Sequence, residues 1–174
     1  MNTLPHRKKN RLSDDLYRMP GAYFITICTQ DRKNLFWSDS FLESFQDIPL
    51  TDLGHIAEKE ILSIAEGYGS MVRVEKYVVM PNHVHMLLIM ESSEEHACPD
   101  IRFAVRLFKR SVSQQAGISI WQKGFHDHII RNDREYQEIW KYIDENPIKW
   151  QLDKYYSDDS LIKQTGDEGI APTP

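Results

Sequence analysis

The chain has 174 residues, 41% of them hydrophobic and 27% charged, with a formal net charge of −5. This is the composition of a globular domain large enough to bury a core without disulfide or metal staples, and it excludes collagens, coiled coils and small secreted scaffolds. No apolar run approaches the ~20 residues of a membrane helix, no apolar stretch follows the basic N-terminus as in a secretory signal, and two cysteines, Cys28 and Cys98, fit a reducing cytoplasm.

Residues 1–20 read as a basic arm, with Arg7, Lys8, Lys9 and Arg11 preceding the first acid, Asp14, and Met19-Pro20-Gly21 closing it. Ala22 to Thr29 is rich in β-branched and aromatic residues and predicts a strand. Asp31-Arg32-Lys33-Asn34 signals a turn. Thr51 or Asp52 can cap a helix whose apolar positions Leu53, Ile56, Ala57, Ile61, Ile64 and Ala65 fall at helical spacing, with Gly67 and Gly69 as its stop. Met71–Met80 and His83–Met90 predict two strands joined through Pro81-Asn82. A second helix follows a polar loop, with Ile101, Ala104, Val105, Phe108 and Val112 as its apolar stripe and Gly117 at its end. His126–Arg131 predicts a strand. Asp133 can cap a last helix running to about Asn146, before Pro147. Residues beyond Trp150 drift into a polar, acidic tail, set off here as residues 153–174.

The order β-α-β-β-α-β-α predicts an α+β fold, a ferredoxin-like antiparallel sheet with helices on one face. Charge is uneven along it. Residues 101–134 carry seven basic side chains against two acids, a balance of +5, and the segment after Gln151 a balance of −3. Arg102, Arg106 and Arg110, spaced four apart with Lys109 beside them, can track a phosphate backbone or form a solvated helix face. The net acidity speaks mildly against a nucleic-acid partner.

Chemistry concentrates at two places. His83 and His85 are two residues apart on a strand and so share one face, from which both imidazoles can reach one divalent ion. Two histidines on a half-exposed face without metal fit the spacing equally well. A hard ion needs oxygen donors from elsewhere. On the last helix, Tyr136 falls in the apolar stripe with Ile139, Trp140 and Ile143, whereas Tyr142 lies about 120° away, and Asn146 is one turn further on. Tyr142 is thereby available for chemistry, with an amide beside it that can ligate a metal, or it is simply a boundary residue of an amphipathic helix. A phenol titrates near 10 and needs help to act as a nucleophile. His126 and His128 also share a face, with His128 either touching a polyanion or serving structure. Trp121 and Phe125 can stack an unpaired base or belong to the core, and Glu138 can act as a base for Tyr142.

The run Tyr77–Leu88, YVVMPNHVHMLL, resembles the HUH motif of single-tyrosine transposases and relaxase-like nucleases. Pro20–Thr26 (PGAYFIT), Trp121–Arg131 (WQKGFHDHIIR) and Tyr142–Lys149 (YIDENPIK) are similar to one branch of that group, the REP-associated tyrosine transposases. The resemblance covers about residues 16–152. It implies an HUH endonuclease fold over residues 21–152 that cleaves and rejoins single-stranded DNA at hairpin-forming palindromes, with no membrane partner, as a monomer or homodimer. Tyr142 matches the nucleophile and would form a 5′-phosphotyrosine. His83 and His85 match the metal ligands, Asn146 the polar third ligand, and the ion would be Mg²⁺ or Mn²⁺. Arg7, Lys8, Lys9, Arg11, Arg102, Arg106, Lys109, Arg110, His128 and Arg131 are the candidate DNA contacts. Two other readings remain: a domesticated protein that binds DNA hairpins without cutting, and a cupin-type oxygenase, which also places H-x-H on a strand but is nearly all-β.

Overall fold

The computed structural model describes residues 14–38 and 50–156. Arg7, Lys8, Lys9 and Arg11 lie outside the described residues. Four strands, β1 (Gly21–Cys28), β2 (Val72–Met80), β3 (His83–Met90) and β4 (His126–Ile130), form one sheet in the order β2-β3-β1-β4, antiparallel at every pairing. Helices α1 (Asp52–Tyr68), α2 (Ile101–Ala116) and α3 (Asp133–Glu145) complete the predicted β-α-β-β-α-β-α order. The fold is the expected α+β, ferredoxin-like arrangement.

The helices begin and end for local reasons. Thr51 caps α1 by accepting from the Gly54 amide (3.1 Å), and Asp100 caps α2 by accepting from Arg102 (2.9 Å). Gly117, in the left-handed region, closes α2. The cap of α3 is Asn132, one residue before the expected Asp133; its Oδ1 accepts from the Glu135 amide at 2.9 Å.

Strand alternation sorts the two sheet faces. Ile25, Ile27, Val84, Met86 and Leu88 share one face, where they are buried with Ala57, Ile61 and Ile64 of α1 and Ile101, Val105, Phe108 and Val112 of α2. Tyr77, on the same face, donates from its hydroxyl to Glu58 of α1 at 3.2 Å. The other face carries Phe24, Thr26, His83, His85, Leu87 and Lys76. The expected layer of helices is thus formed by α1 and α2, and α3 crosses the opposite face. There the Lys76 ammonium meets Asp144 at 2.5 Å and lies 4.1 Å from the Trp140 ring centroid. Glu135 fixes the entry to α3, accepting from the Arg131 amide (2.7 Å) and contacting His128 Nε2 (2.6 Å). Among the described residues no helix is long and apolar enough to cross a membrane.

The β2–β3 turn is braced from outside. The Leu35 and Phe36 amides donate to the Pro81 carbonyl (2.8 and 3.0 Å), and the Phe36 carbonyl accepts from Thr51 at the start of α1 (2.9 Å). Gly54 presses its α-carbon against that same carbonyl, so an added Cβ would sit closer to the oxygen than any ordinary carbon–oxygen contact. Gly54→Ala is expected to destabilise the protein by about 2 kcal/mol through this overlap, read as a lower midpoint in urea unfolding with an unchanged slope. An unaltered midpoint would show that the brace yields freely.

Candidate active site

His83 and His85 project from the start of β3 and are both fully buried. Their surroundings determine which nitrogens carry protons. The Asn82 amide nitrogen donates to the carbonyls of Arg32 (3.1 Å) and Tyr155 (2.9 Å), which turns Oδ1 toward His83 Nδ1 at 2.9 Å. His83 Nδ1 is therefore the donor, and Nε2 of the neutral ring keeps its lone pair. His83 Nε2 lies 2.9 Å from His85 Nε2, so in this state the shared proton sits on His85, and His85 Nδ1 accepts from the Thr26 hydroxyl at 2.8 Å. Burial holds both imidazoles well below their ordinary titration range; for His85 the neighbouring His83 adds to the effect. Both rings are neutral, as ligation of a metal requires; His83 Nε2 has its lone pair free, and His85 would have to carry its proton on Nδ1 to offer one at Nε2.

Helix α3 delivers Tyr142 to this pair. Its hydroxyl lies 3.3 Å from His85 Nε2, and its ring packs edge-on against Phe24, which itself stacks on His85 at a centroid distance of 5.0 Å. The Tyr142 hydroxyl donates to Asp153 Oδ2 at 3.0 Å. Burial first, and the Asp153 carboxylate second, push this phenol well above its usual range. Tyr142 nevertheless stays 37% exposed, so a ligand can reach it. Asn146, one turn on, is buried beside the phenol, and its side-chain amide atoms make no hydrogen bond of ordinary geometry among the described residues. A buried amide of this kind is the sort of donor a bound ion satisfies.

Asp153 is the group that sequence reasoning missed. Its carboxylate and the ligating nitrogens of His83 and His85 all lie within 4.8 Å of one another, a set able to hold a metal ion. The residues set off as the start of an acidic tail in fact cover the histidines. A 3-10 turn at Trp150–Leu152 leads into Asp153, and Tyr155, only 4% exposed, brings its ring centroid to 4.7 Å from His83. The signal was the pair of aromatics, Trp150 and Tyr155, anchoring a short charged stretch.

The other sequence candidates separate by face. His128 lies on the site face of β4, opposite Phe24, and lines a cavity there; Arg131 is exposed just past the end of the same strand. Arg102, Arg106, Lys109 and Arg110 sit on α2, beyond the sheet from the histidines. Arg102 is paired with Asp14 (2.5 Å) and Asp100 (2.6 Å) and lies over the Tyr17 ring, and Lys109 donates to the carbonyls of Gln122 and Gly124. The structure therefore does not bring these cations to Tyr142. Glu138 pairs with Arg134 at 2.9 Å, and Trp121 is buried between Phe36 and Phe108, a core residue and no base-stacking platform.

Comparison with known proteins finds relatives in sequence and in fold. No family model matches the chain. An uncharacterized protein of Haemophilus influenzae is 31% identical over 175 residues, spanning 88% of this chain and 94% of that one. A REP-associated tyrosine transposase of Escherichia coli is 30% identical over 86 residues, spanning 49% of this chain and 50% of its own length. A solved structure of a REP-associated tyrosine transposase bound to a REP hairpin shares the fold, with a TM-score of 0.59 at 23% identity, covering 79% of this chain and 73% of that one. The chain is similar in sequence to REP-associated tyrosine transposases and shares the fold of the solved one.

The buried neutral imidazoles have a consequence for stability. Unfolding releases them to an ordinary pKa near 6.5, so below that pH the unfolded chain binds protons that the folded chain refuses. Stability is full above pH 6.5 and falls as pH drops. Between pH 6.5 and 5.5 the two sites together should cost about 2 kcal/mol in metal-free buffer. Urea unfolding at both pH values should show this loss in the wild type and a much shallower one in a His83→Gln/His85→Gln variant; equal slopes would mean the rings are charged when folded.

Proposed function

We propose that this chain is a metal-dependent endonuclease and strand transferase for single-stranded DNA, acting on hairpin-forming palindromes through a 5′-phosphotyrosine at Tyr142. The observation that carries this reading is the 3.3 Å approach of the Tyr142 hydroxyl to His85 Nε2, across which a phosphodiester and an ion would be shared. The names of its relatives, and the hairpin held by the solved transposase of like fold, supply the substrate class.

His83 and His85 would hold the ion, with Asp153 or Asn146 adding oxygen. The donor set of two imidazoles and a carboxylate suits Mn²⁺ better than the all-oxygen preference of Mg²⁺. When bound, the ion would polarise the scissile phosphate and spread its charge during in-line displacement. The chain's own residues prepare for this. To offer a lone pair at Nε2, His85 would carry its proton on Nδ1, and Thr26 Oγ1 would turn from donor to acceptor. Asp153 Oδ2, already bonded to the phenol, is placed to take its proton as the oxygen attacks phosphorus. A bond forms between the Tyr142 oxygen and the 5′-phosphate, the bond from phosphorus to the 3′ oxygen breaks, and a 3′-hydroxyl is left. Because the phenol is held well above neutral pH, Tyr142 attacks only when its proton has a receiver and the phosphate charge is neutralised.

The decisive substitution is Tyr142→Phe. Incubated with Mn²⁺ and a single-stranded palindromic hairpin, the wild type should give a protein–DNA adduct on a denaturing gel, and the variant none. Hairpin affinity should change less than about threefold, since the loss is of one hydroxyl. An adduct persisting in Tyr142→Phe would assign the nucleophile elsewhere, and hairpin binding without any wild-type adduct would favour a non-cleaving hairpin-binding protein.

A further inference from the structure

Beside the histidines, on the β1–β4 side, lies a cavity of about 470 Å³ that the reaction above does not use. Its volume falls in the range of small-ligand sites, roughly 300–1,000 Å³. Phe24 and Thr26 form the wall shared with the active site: Phe24 stacks on His85, and Thr26 bonds it. Besides Asp127, whose place between His126 and His128 on β4 sets it on the opposite face of the strand, the remaining lining combines two kinds of chemistry. His126 and His128 offer exposed rings from alternate positions of β4. Arg32 and Lys154 offer cations from two separate segments, and both converge on the Tyr155 ring, with the guanidinium carbon 5.3 Å and the ammonium 4.7 Å from its centroid.

The way Arg32 reaches this place is unusual. Asp31 and Arg32 have φ of 56° and 55°, two successive non-glycine residues in the left-handed region, where side chains crowd the backbone. The turn is held there by the Asn82 amide on the Arg32 carbonyl and by the Thr29 hydroxyl on the Lys33 carbonyl at 2.8 Å. A backbone kept in such a conformation by surrounding bonds, at the rim of a cavity, is characteristic of a functional contact. The same Asn82 orients His83, so the cation at the rim and the metal-ligating pair are fixed by one side chain.

We infer that this cavity is a subsite for one unpaired nucleotide flanking the scissile phosphodiester, its base lying against the rings of Phe24 and His126 and its phosphate facing Arg32 and Lys154. Aromatic faces with adjacent cations are what an unpaired, negatively charged nucleotide requires. The inference rests on the strand-transferase reading for its substrate and adds to it a binding position and its residues. It also places the local positive charge that α2 does not bring to the site.

The test is a scan of full-length protein against single-stranded palindromic hairpins in which one linkage at a time, within three nucleotides of the cleaved bond, is a neutral methylphosphonate. Binding is followed by fluorescence anisotropy and adduct formation on denaturing gels, for wild type and for an Arg32→Gln/Lys154→Gln variant whose folding is checked by its thermal melt. One linkage should cost the wild type about tenfold in affinity and cost the variant less than twofold, since the variant has already lost that contact. An abasic residue at the adjoining nucleotide should weaken the wild type more than a His126→Ala variant. Equal losses at every linkage in both proteins, or no coupling at any, would overturn the subsite. Because coupling is read from binding, a wild type that binds but forms no adduct would reject the strand-transferase reading while still deciding whether the subsite exists.

Discussion

The site depends on a single amide. Asn82 is fully buried between the Gln30–Arg32 turn, the 150–156 segment and the first histidine of β3, and it bonds all three. Its backbone carbonyl is also engaged, accepting from the Thr29 amide (2.9 Å) and hydroxyl (3.0 Å). The donor and acceptor ends of an asparagine are distinct, so two carbonyl partners at the nitrogen leave one orientation for the oxygen. That orientation fixes the tautomer of His83 and thereby the direction of the lone pair on Nε2. Asn82 also sits in a turn where neither Pro81 nor Asn82 has positive φ, unlike the tight turns that favour hairpins by themselves. The β2–β3 connection is held in shape by these tertiary bonds and by the brace from residues 35 and 36, and the geometry of the histidine pair follows from the same contacts.

Burying two imidazoles costs free energy whenever they would be charged, and the fold meets that cost by keeping them neutral and bonded. Each ring nitrogen has a partner: Asn82, the other histidine, and Thr26. The pair therefore forms a closed network of hydrogen bonds, with one proton shared between the two Nε2 atoms. The same low-dielectric surroundings push the Tyr142 phenol upward, so the phenol and the two imidazoles are all held in their neutral states. Among the described residues, Asp153 supplies the carboxylate that touches both the histidine pair and the Tyr142 hydroxyl.

Much of this was legible in the sequence, for reasons that can be traced. β3 was read at its observed bounds because His83–Met90 is an apolar run closed by Pro81-Asn82 on one side and polar residues on the other. The shared face of His83 and His85 follows from strand geometry alone, and the separation of Tyr142 from Tyr136 from helical geometry alone. What periodicity could not give was the face of the sheet on which α3 lies: the stripe of Tyr136, Ile139, Trp140 and Ile143 shows that the helix packs, and says nothing of where. Charge was the weaker guide. The spacing of Arg102, Arg106 and Arg110 is real, but Asp14 and Asp100, remote from one another in sequence, pair with Arg102 only in the fold. Asp153 was obscured in the opposite way, as a single acid at the head of an acidic stretch whose packing depends on Trp150 and Tyr155.

The distribution of cations then bears on how an acidic protein can handle a polyanion. Net charge sets long-range attraction, whereas the affinity of a strand at the site depends on the few cations within a Debye length of it, about 8–10 Å at physiological ionic strength. Among the described residues, Arg32 and Lys154 line the cavity beside the histidines from two separate segments, and Lys76 on the same face is paired with Asp144. Such an arrangement favours a short segment held in a defined register over extended, sequence-independent tracking of a backbone. It also ties the segment after α3 to both places: Lys154 lines the cavity, Tyr155 supports both cations, and Asp153 bonds the Tyr142 hydroxyl, so three consecutive residues connect the cavity to Tyr142.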